Sequence, residues 1–190
     1  MATLPIVTYN DPVLRQKSDP VEQDGDELQK LIDDMFETMY NAGGVGLAAP
    51  QTGRLIRLFV VDADAVTEDL DEPDLGPMVF INPEIVKTEG EMVRMEEGCL
   101  SIPEVRDEVK RPSRCVVSWQ NRDFERKQME LSGWLSRVVQ HEYDHLNGIL
   151  FLDHLSAFRN RLHRRDLEKI DSGIYQGAYP IAPKSADKPS

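Results

Sequence analysis

Gln140-His141-Glu142-Tyr143-Asp144-His145-Leu146-Asn147-Gly148 is the stretch whose reading decides both the architecture and the chemistry of this chain. It contains H-E-x-x-H, two histidines spaced i, i+4, and it closes on Asn-Gly, a pair that stops a helix. At about 100° per residue, His145 lies about 40° and Glu142 about 100° around a helix from His141, so both imidazoles and the carboxylate share one side. Leu135, Val138, Val139 and Leu146 fall within about 160° on the same wheel, which puts the polar trio in or beside the core-facing sector. Burying three polar groups there requires a compensating partner. A divalent metal supplies one, because neutral imidazoles at this spacing coordinate it while the glutamate stays free to handle protons. The alternative is a pair of hydrogen-bonded histidines with no metal between them.

A catalytic site of this kind usually has three protein ligands and one open position. The longer pattern H-E-x-x-H-x-x-G-x-x-H starts correctly with Gly148 but ends on Phe151, and His154 comes three residues too late. Glu168 is a candidate carboxylate ligand, which would make the chain a thermolysin-like metalloendopeptidase. Cys99, within Glu97-Gly98-Cys99-Leu100-Ser101, is the other candidate. A free cysteine is most often a small buried apolar residue, and Cys115, among Val116, Val117 and Trp119, fits that reading. A closed structural metal site would need a fourth ligand, for which Cys115 and His154 are candidates. Otherwise His154 and His163 are expected to face solvent.

Outward from this helix, which is predicted over Ser132 to Leu146, the pattern alternates between short apolar runs and helical spacing. Leu28, Leu31, Ile32, Met35 and Met39 predict an amphipathic helix over Asp26 to Tyr40, opened by a capping-box pattern, Asp24-x-x-Glu27, and ended by Gly43 and Gly44. Leu55 to Val61 reads as a strand. Asp62 to Pro77 holds seven acidic residues and no Lys or Arg, and reads as a solvated loop. Between Met78 and Glu130, runs such as Val79–Ile81, Ile85–Val86 and Cys115–Trp119, punctuated by Pro, Gly and Asn, predict several antiparallel strands. A last helix is predicted over Ser156 to Ile170. The expected class is α+β: antiparallel or mixed sheets packed around a central metal-binding helix, with a C-terminal helix. The expected organisation is one catalytic domain over 1–172 and an extended or partly disordered tail over 173–190.

Length and charge narrow the function. A chain of 190 residues has room for one core and a site, and its mean hydropathy of −0.45 fits a globular protein. With 22 basic and 34 acidic residues the net charge is −12, which opposes nonspecific nucleic-acid binding by the whole chain and gives no reason to expect specific DNA recognition. No apolar run reaches the roughly 20 residues needed to span a bilayer. Two cysteines make no disulfide framework, and the amino terminus has no signal-peptide pattern, so the cytoplasm is the expected compartment.

Taken in order, Gly44-Val45-Gly46-Leu47-Ala48-Ala49-Pro50-Gln51, Glu97-Gly98-Cys99-Leu100-Ser101 and the Gln140–His145 segment carry G-x-G-x-A-A-x-Q, E-G-C-L-S and Q-H-E-x-D-H. With these three motifs, from about Ile6 to Ser156, the chain resembles the bacterial type of peptide deformylase. The resemblance implies removal of the formyl group from the N-terminal formylmethionine of nascent polypeptides, with release of formate. It implies Cys99, His141 and His145 as ligands of one divalent metal, Fe(II) first, with Zn(II), Ni(II) or Co(II) able to occupy the same site. It further implies Glu142 as the proton carrier, Gln51 and the Leu100 backbone N–H as donors to the developing oxyanion, and Gly46 as a backbone partner of the substrate peptide. Methionine preference needs an apolar pocket, for which Val138 and Gly44 are the expected walls. Glu97 and Arg106 resemble positions near that pocket, where an ion pair between them would be structural or substrate-orienting. Arg137 stands where relatives also carry apolar residues. Four arginines, Arg159, Arg161, Arg164 and Arg165, lie in the C-terminal helix, which the resemblance associates with the ribosomal surface; a wheel does not gather them into one stripe.

Overall fold

The computed structural model describes residues 2–64, 75–173 and 177–183. Most of the acidic 62–77 stretch, and residues 174–176 and 184–190 of the tail, lie outside the described residues. The first helix, α1, spans Asp26–Asn41 and buries Ile32, Met35 and Met39. Its cap is Gly25, so the expected capping box is absent: Asp24 stands one residue too early and instead accepts from Gly25 N and Gln29 Nε2. Gly43, at φ 67°, turns the chain out of the helix.

Five strands follow in a single sheet: β1 Gly46–Ala48, β2 Leu58–Val61, β3 Met78–Cys99, β4 Ile102–Gln120 and β5 Arg126–Ser132. They lie in chain order, and every neighbouring pair is antiparallel. The expected short strands are merged into two long ones. Pro83 and Gly90, which read as breakers, fall in register shifts between Ile81 and Glu84 and between Glu89 and Met92, where a bulge absorbs a missing donor or a sharp bend.

The helix α2, Gly133–His145, carries the two histidines. It and α1 cover opposite faces of the sheet, and the alternation along β2 shows how. Leu58 and Val60 pack with Ile32, Met35 and Met39 of α1, while Phe59 and Val61 pack with Val138 and Val139 of α2. All four are buried because successive side chains point to opposite faces and both faces are covered. Past α2, Gly148 holds φ 73°, and a Cβ there would lie 2.5 Å from the Arg15 carbonyl oxygen, so only glycine fits.

The predicted C-terminal helix is two helices, α3 Ala157–Leu162 and α4 Arg164–Asp171, joined at His163. Its imidazole is fixed 2.7 Å from Asp107 of β4. The break re-aims the chain, so that Leu167 and Ile170 enter the core while Phe158 and Leu162 remain exposed. No helix among the described residues is long and apolar enough to cross a membrane.

Candidate active site

The site forms where α2, the β3–β4 turn and the segment from Gly44 to Gln51 meet, in a cleft of about 360 Å³. Gly44, Gly46, Leu100, Arg106, Val138 and Glu142 all border it. β3 and β4 are joined by a two-residue turn, Leu100–Ser101, closed by the Cys99–Ile102 pair, and this turn delivers Cys99 to the histidines. The ligand atoms of Cys99, His141 and His145 all lie within 4.8 Å of one another, with Cys99 Sγ 3.2 Å from His145 Nε2. Ligands on one tetrahedral ion at bond lengths of about 2.0 to 2.3 Å stand roughly 3.3 to 3.8 Å apart, so the cluster fits a single divalent ion.

Two further observations support that fit. His141 Nδ1 donates to Glu97 Oε2 at 2.9 Å, which fixes the ring and leaves Nε2 for coordination. Burial pushes the His145 pKa well down and so favours the neutral imidazole, the form that binds metal. His141 is pushed up instead: burial opposes its charge, but hydrogen bonding to Cys99 and Glu97 outweighs it, and groups that favour a proton there also favour a metal cation.

Glu97 is the hub of a buried network. Arg111 Nε reaches Glu97 Oε1 at 2.7 Å and Nη2 reaches Oε2 at 3.0 Å, while Arg137 Nη1 reaches Oε1 at 2.9 Å. Burial opposes ionisation of Glu97, but hydrogen bonds from His141 and Arg111 hold its carboxyl well below the usual carboxylate range. Arg111 also bonds Asp144 at 2.7 Å, and Asp144 pairs with His154 at 2.7 Å. The expected Arg106–Glu97 pair does not form. Arg106 is exposed and lies 3.7 Å from Glu96, because neighbouring strand residues point to opposite faces and only Glu97 points inward. Arg137, to which the sequence assigns no place, is buried and bound to Glu97 and to the carbonyls of Val93 and Val109. His154 and His163, expected in solvent, are each held by an aspartate, His154 while staying exposed as expected and His163 while half-buried.

Glu142 is 4% exposed, and burial pushes its carboxyl up to about 7 against the opposing charge of His141. Its Oε2 and His145 Nδ1 are buried without a hydrogen-bond partner among the described residues. Gly46 lies directly against it: a Cβ there would sit 2.5 Å from Glu142 Oε1. Gln51 is oriented by its own carbonyl, which accepts from Ala48 N at 2.8 Å, so its amide nitrogen lies 3.4 Å from Cys99 Sγ and 3.2 Å from Ser101 Oγ. Leu100 packs against Gly44, where a Cβ would meet its Cδ1 at 2.8 Å. Val138 both borders the cleft and packs in the core. Glu168 is far from all of this, exposed on α4 and paired with Arg164, and Cys115 is buried in the apolar core beside Ser136.

The polypeptide deformylase family profile matches residues 3–161. The chain belongs to the peptide deformylase family. A peptide deformylase of Salinibacter ruber is 52% identical over 185 residues, covering 95% of each chain. The crystal structure of a peptide deformylase from Legionella pneumophila aligns with a TM-score of 0.80 at 39% identity, covering 99% of this chain and 100% of that one. That of the Ehrlichia chaffeensis enzyme in complex with actinonin aligns at 0.82, also at 39% identity, covering 93% and 100%. This deformylase is an enzyme that removes the formyl group from N-formylmethionine, and an endopeptidase using Glu168 is not favoured. Its fold is the α+β arrangement expected, with the sheet wholly antiparallel.

Proposed function

We propose that deformylation takes place at the Cys99–His141–His145 cluster, with Glu142 moving protons and with Gln51 and the Leu100 N–H receiving the charge that develops on the formyl oxygen. The observation that carries this reading is the convergence of three ligand atoms within 4.8 Å on a cleft that Glu142 and Gln51 also border. A divalent ion bound there supplies Lewis acidity and makes water acidic enough to act as a nucleophile near neutral pH. Glu142 takes the proton from the attacking water and returns it to the departing amine, a task suited to a buried oxygen that no other group among the described residues engages. The Gln51 amide oxygen is held by Ala48 N, which keeps the amide nitrogen beside Cys99 and Ser101, and the N–H now directed at Cys99 Sγ is the one that would turn to the developing oxyanion.

β1 binds the substrate backbone. Among the described strands it pairs only with β2, which leaves its other edge for an extended peptide. Gly44, Val138, Glu97 and Arg106 then belong to the methionine-binding side of the cleft, Glu97 through the network it anchors and Arg106 at the exposed rim. Metal analysis combined with formate release from a formyl-Met peptide, set against cleavage of the unformylated peptide, tests the assignment. Formate release without a bound metal would refute it.

The family resemblance supports Fe(II) as the resident ion. Anaerobic reconstitution tests this, with the Fe(II) form expected to be more active than the Zn(II) form. We place the enzyme in the cytoplasm, with nascent formylated chains as substrate and weak docking to the ribosome through Arg161 and Arg165, which are exposed on α3 and α4. Arg159 and Arg164 are engaged with Asp107 and Glu168. Arg161→Glu together with Arg165→Glu should abolish salt-sensitive cosedimentation with ribosomes and leave hydrolysis of short peptides intact.

A further inference from the structure

The last described residues return to the active site. Ile181 forms a parallel bridge with Ile6; Ile6 N donates to Pro180 O at 2.9 Å, and Ala182 N donates to Ile6 O at 2.8 Å. The same N-terminal segment runs behind both oxyanion donors, since Val7 N donates to Gln51 O at 2.8 Å and Tyr9 N to Ser101 O at 2.7 Å. From this docked tail Tyr179 reaches the cleft, where it borders the wall with Leu100 and its phenol donates to Leu100 O at 2.7 Å.

Carbonyls of a two-residue turn lie beyond the last pair of the ladder, so what they meet outside the sheet sets their direction. Here both are held from outside: the Leu100 carbonyl by Tyr179, the Ser101 carbonyl by Tyr9. The turn's soft coordinates are its φ and ψ angles. A clamp on each carbonyl therefore restricts how the adjoining Leu100 N–H can tilt. Small misplacements of a donor aimed at developing charge are costly in rate.

We propose that Tyr179 is a positioning residue for the oxyanion donor: its hydroxyl, delivered by the pairing of 180–182 with Ile6, fixes the turn that presents the Leu100 N–H. This rests on the role given to that N–H above. It makes the C-terminal tail part of the catalytic apparatus, acting through Leu100 without contact with the reacting atoms.

Tyr179→Phe removes the hydroxyl and keeps the ring, so the cleft wall and tail docking are preserved. With a formyl-Met peptide, kcat should fall about fivefold to tenfold, the scale of one net hydrogen bond, while KM stays within about twofold. Metal content should equal that of the unsubstituted enzyme, and melting temperature should fall by no more than about 4 °C, the scale of one net hydrogen bond. An unchanged kcat would overturn the proposal, and so would a fall in kcat accompanied by a larger loss of melting temperature or by loss of metal, since that is what a merely structural role gives. Gln51→Ala, measured alongside, separates the two levels. If it leaves kcat unchanged, the oxyanion reading itself falls and this inference with it; if it lowers kcat while Tyr179→Phe does not, only the role of Tyr179 is lost.

Discussion

Gly46→Ala is the sharpest single-atom perturbation that the site offers. The residue is buried in β1, and its backbone lies outside the left-handed region, so alanine brings no backbone strain and the effect is confined to one methyl group. That methyl would stand 2.5 Å from Glu142 Oε1 and 2.9 Å from both Cδ and Cγ, against an ordinary contact beginning near 3.4 Å. Relief requires the carboxylate to retreat by about 0.9 Å, the difference between 3.4 and 2.5 Å. Glu142 is enclosed by α2 and the cleft wall, so the retreat displaces it from the reacting position. A shift of about 1 Å in a proton-transferring group costs on the order of 10²-fold in rate, or about 2.7 kcal/mol in activation free energy. The assay is steady-state formate release from a formyl-Met peptide, with metal content and melting temperature measured on the same preparation. Activity within about threefold of the unsubstituted enzyme, in a folded and metal-loaded variant, would show that Glu142 tolerates the displacement and that its position is not critical to proton transfer.

Three further outcomes are expected. Glu142→Gln should keep near-stoichiometric metal and lose deformylation by roughly 10²-fold or more, as metal analysis beside formate release will show. Cys99→Ala should lose metal and activity together, whereas Cys115→Ala should keep both and lower unfolding stability by about 1 to 2 kcal/mol, read from urea titrations. Asp107 is held down to about 2 by Arg159, against burial, and further by His163. Its folded pKa lies below its unfolded one, so the stability it contributes is complete above about pH 4 and lost as pH falls toward 2; with Arg159 partly exposed this is about 1 to 2 kcal/mol. The stability gap between the unsubstituted protein and Asp107→Asn should close over that interval, and a gap constant with pH would contradict the assignment.

The metal-binding helix is legible in the sequence because its signal is local: both histidines, the glutamate and their apolar neighbours lie within one helix. The same holds for α1, where helical spacing places the ends within a residue even though Gly25 supplies the cap. The continuity of β3 is not legible, because a proline or glycine ends a strand only if the partner cannot bulge around it, and the partner lies far along the chain. The partners of Glu97 come from Arg111 and Arg137, so no local pattern announces the network. One clue does lie in the sequence. Val105, Asp107, Val109 and Arg111 alternate along β4, and all four are buried. A charged residue in phase with buried valines must be paired, so the alternation by itself marks Asp107 and Arg111 as members of buried ion pairs. The helix break at His163 belongs to the non-local class, since the side chain that binds the imidazole there, Asp107, comes from across the fold.

The Ile6–Ile181 bridge joins parts of the chain that lie 175 residues apart in sequence, 181 less 6. Ile6 is fully buried in the finished protein, yet Ile181, which pairs with it, is added long after it. During synthesis the early segment must therefore wait for that pairing, held meanwhile by bonds that include those to the Thr38 hydroxyl and the Gln51 and Ser101 carbonyls, and pairing across so long a separation is slow. That pairing thus reaches the catalytic cleft: a chain cut before Tyr179 would carry its metal ligands and its helix but leave the Leu100 carbonyl without the Tyr179 hydroxyl.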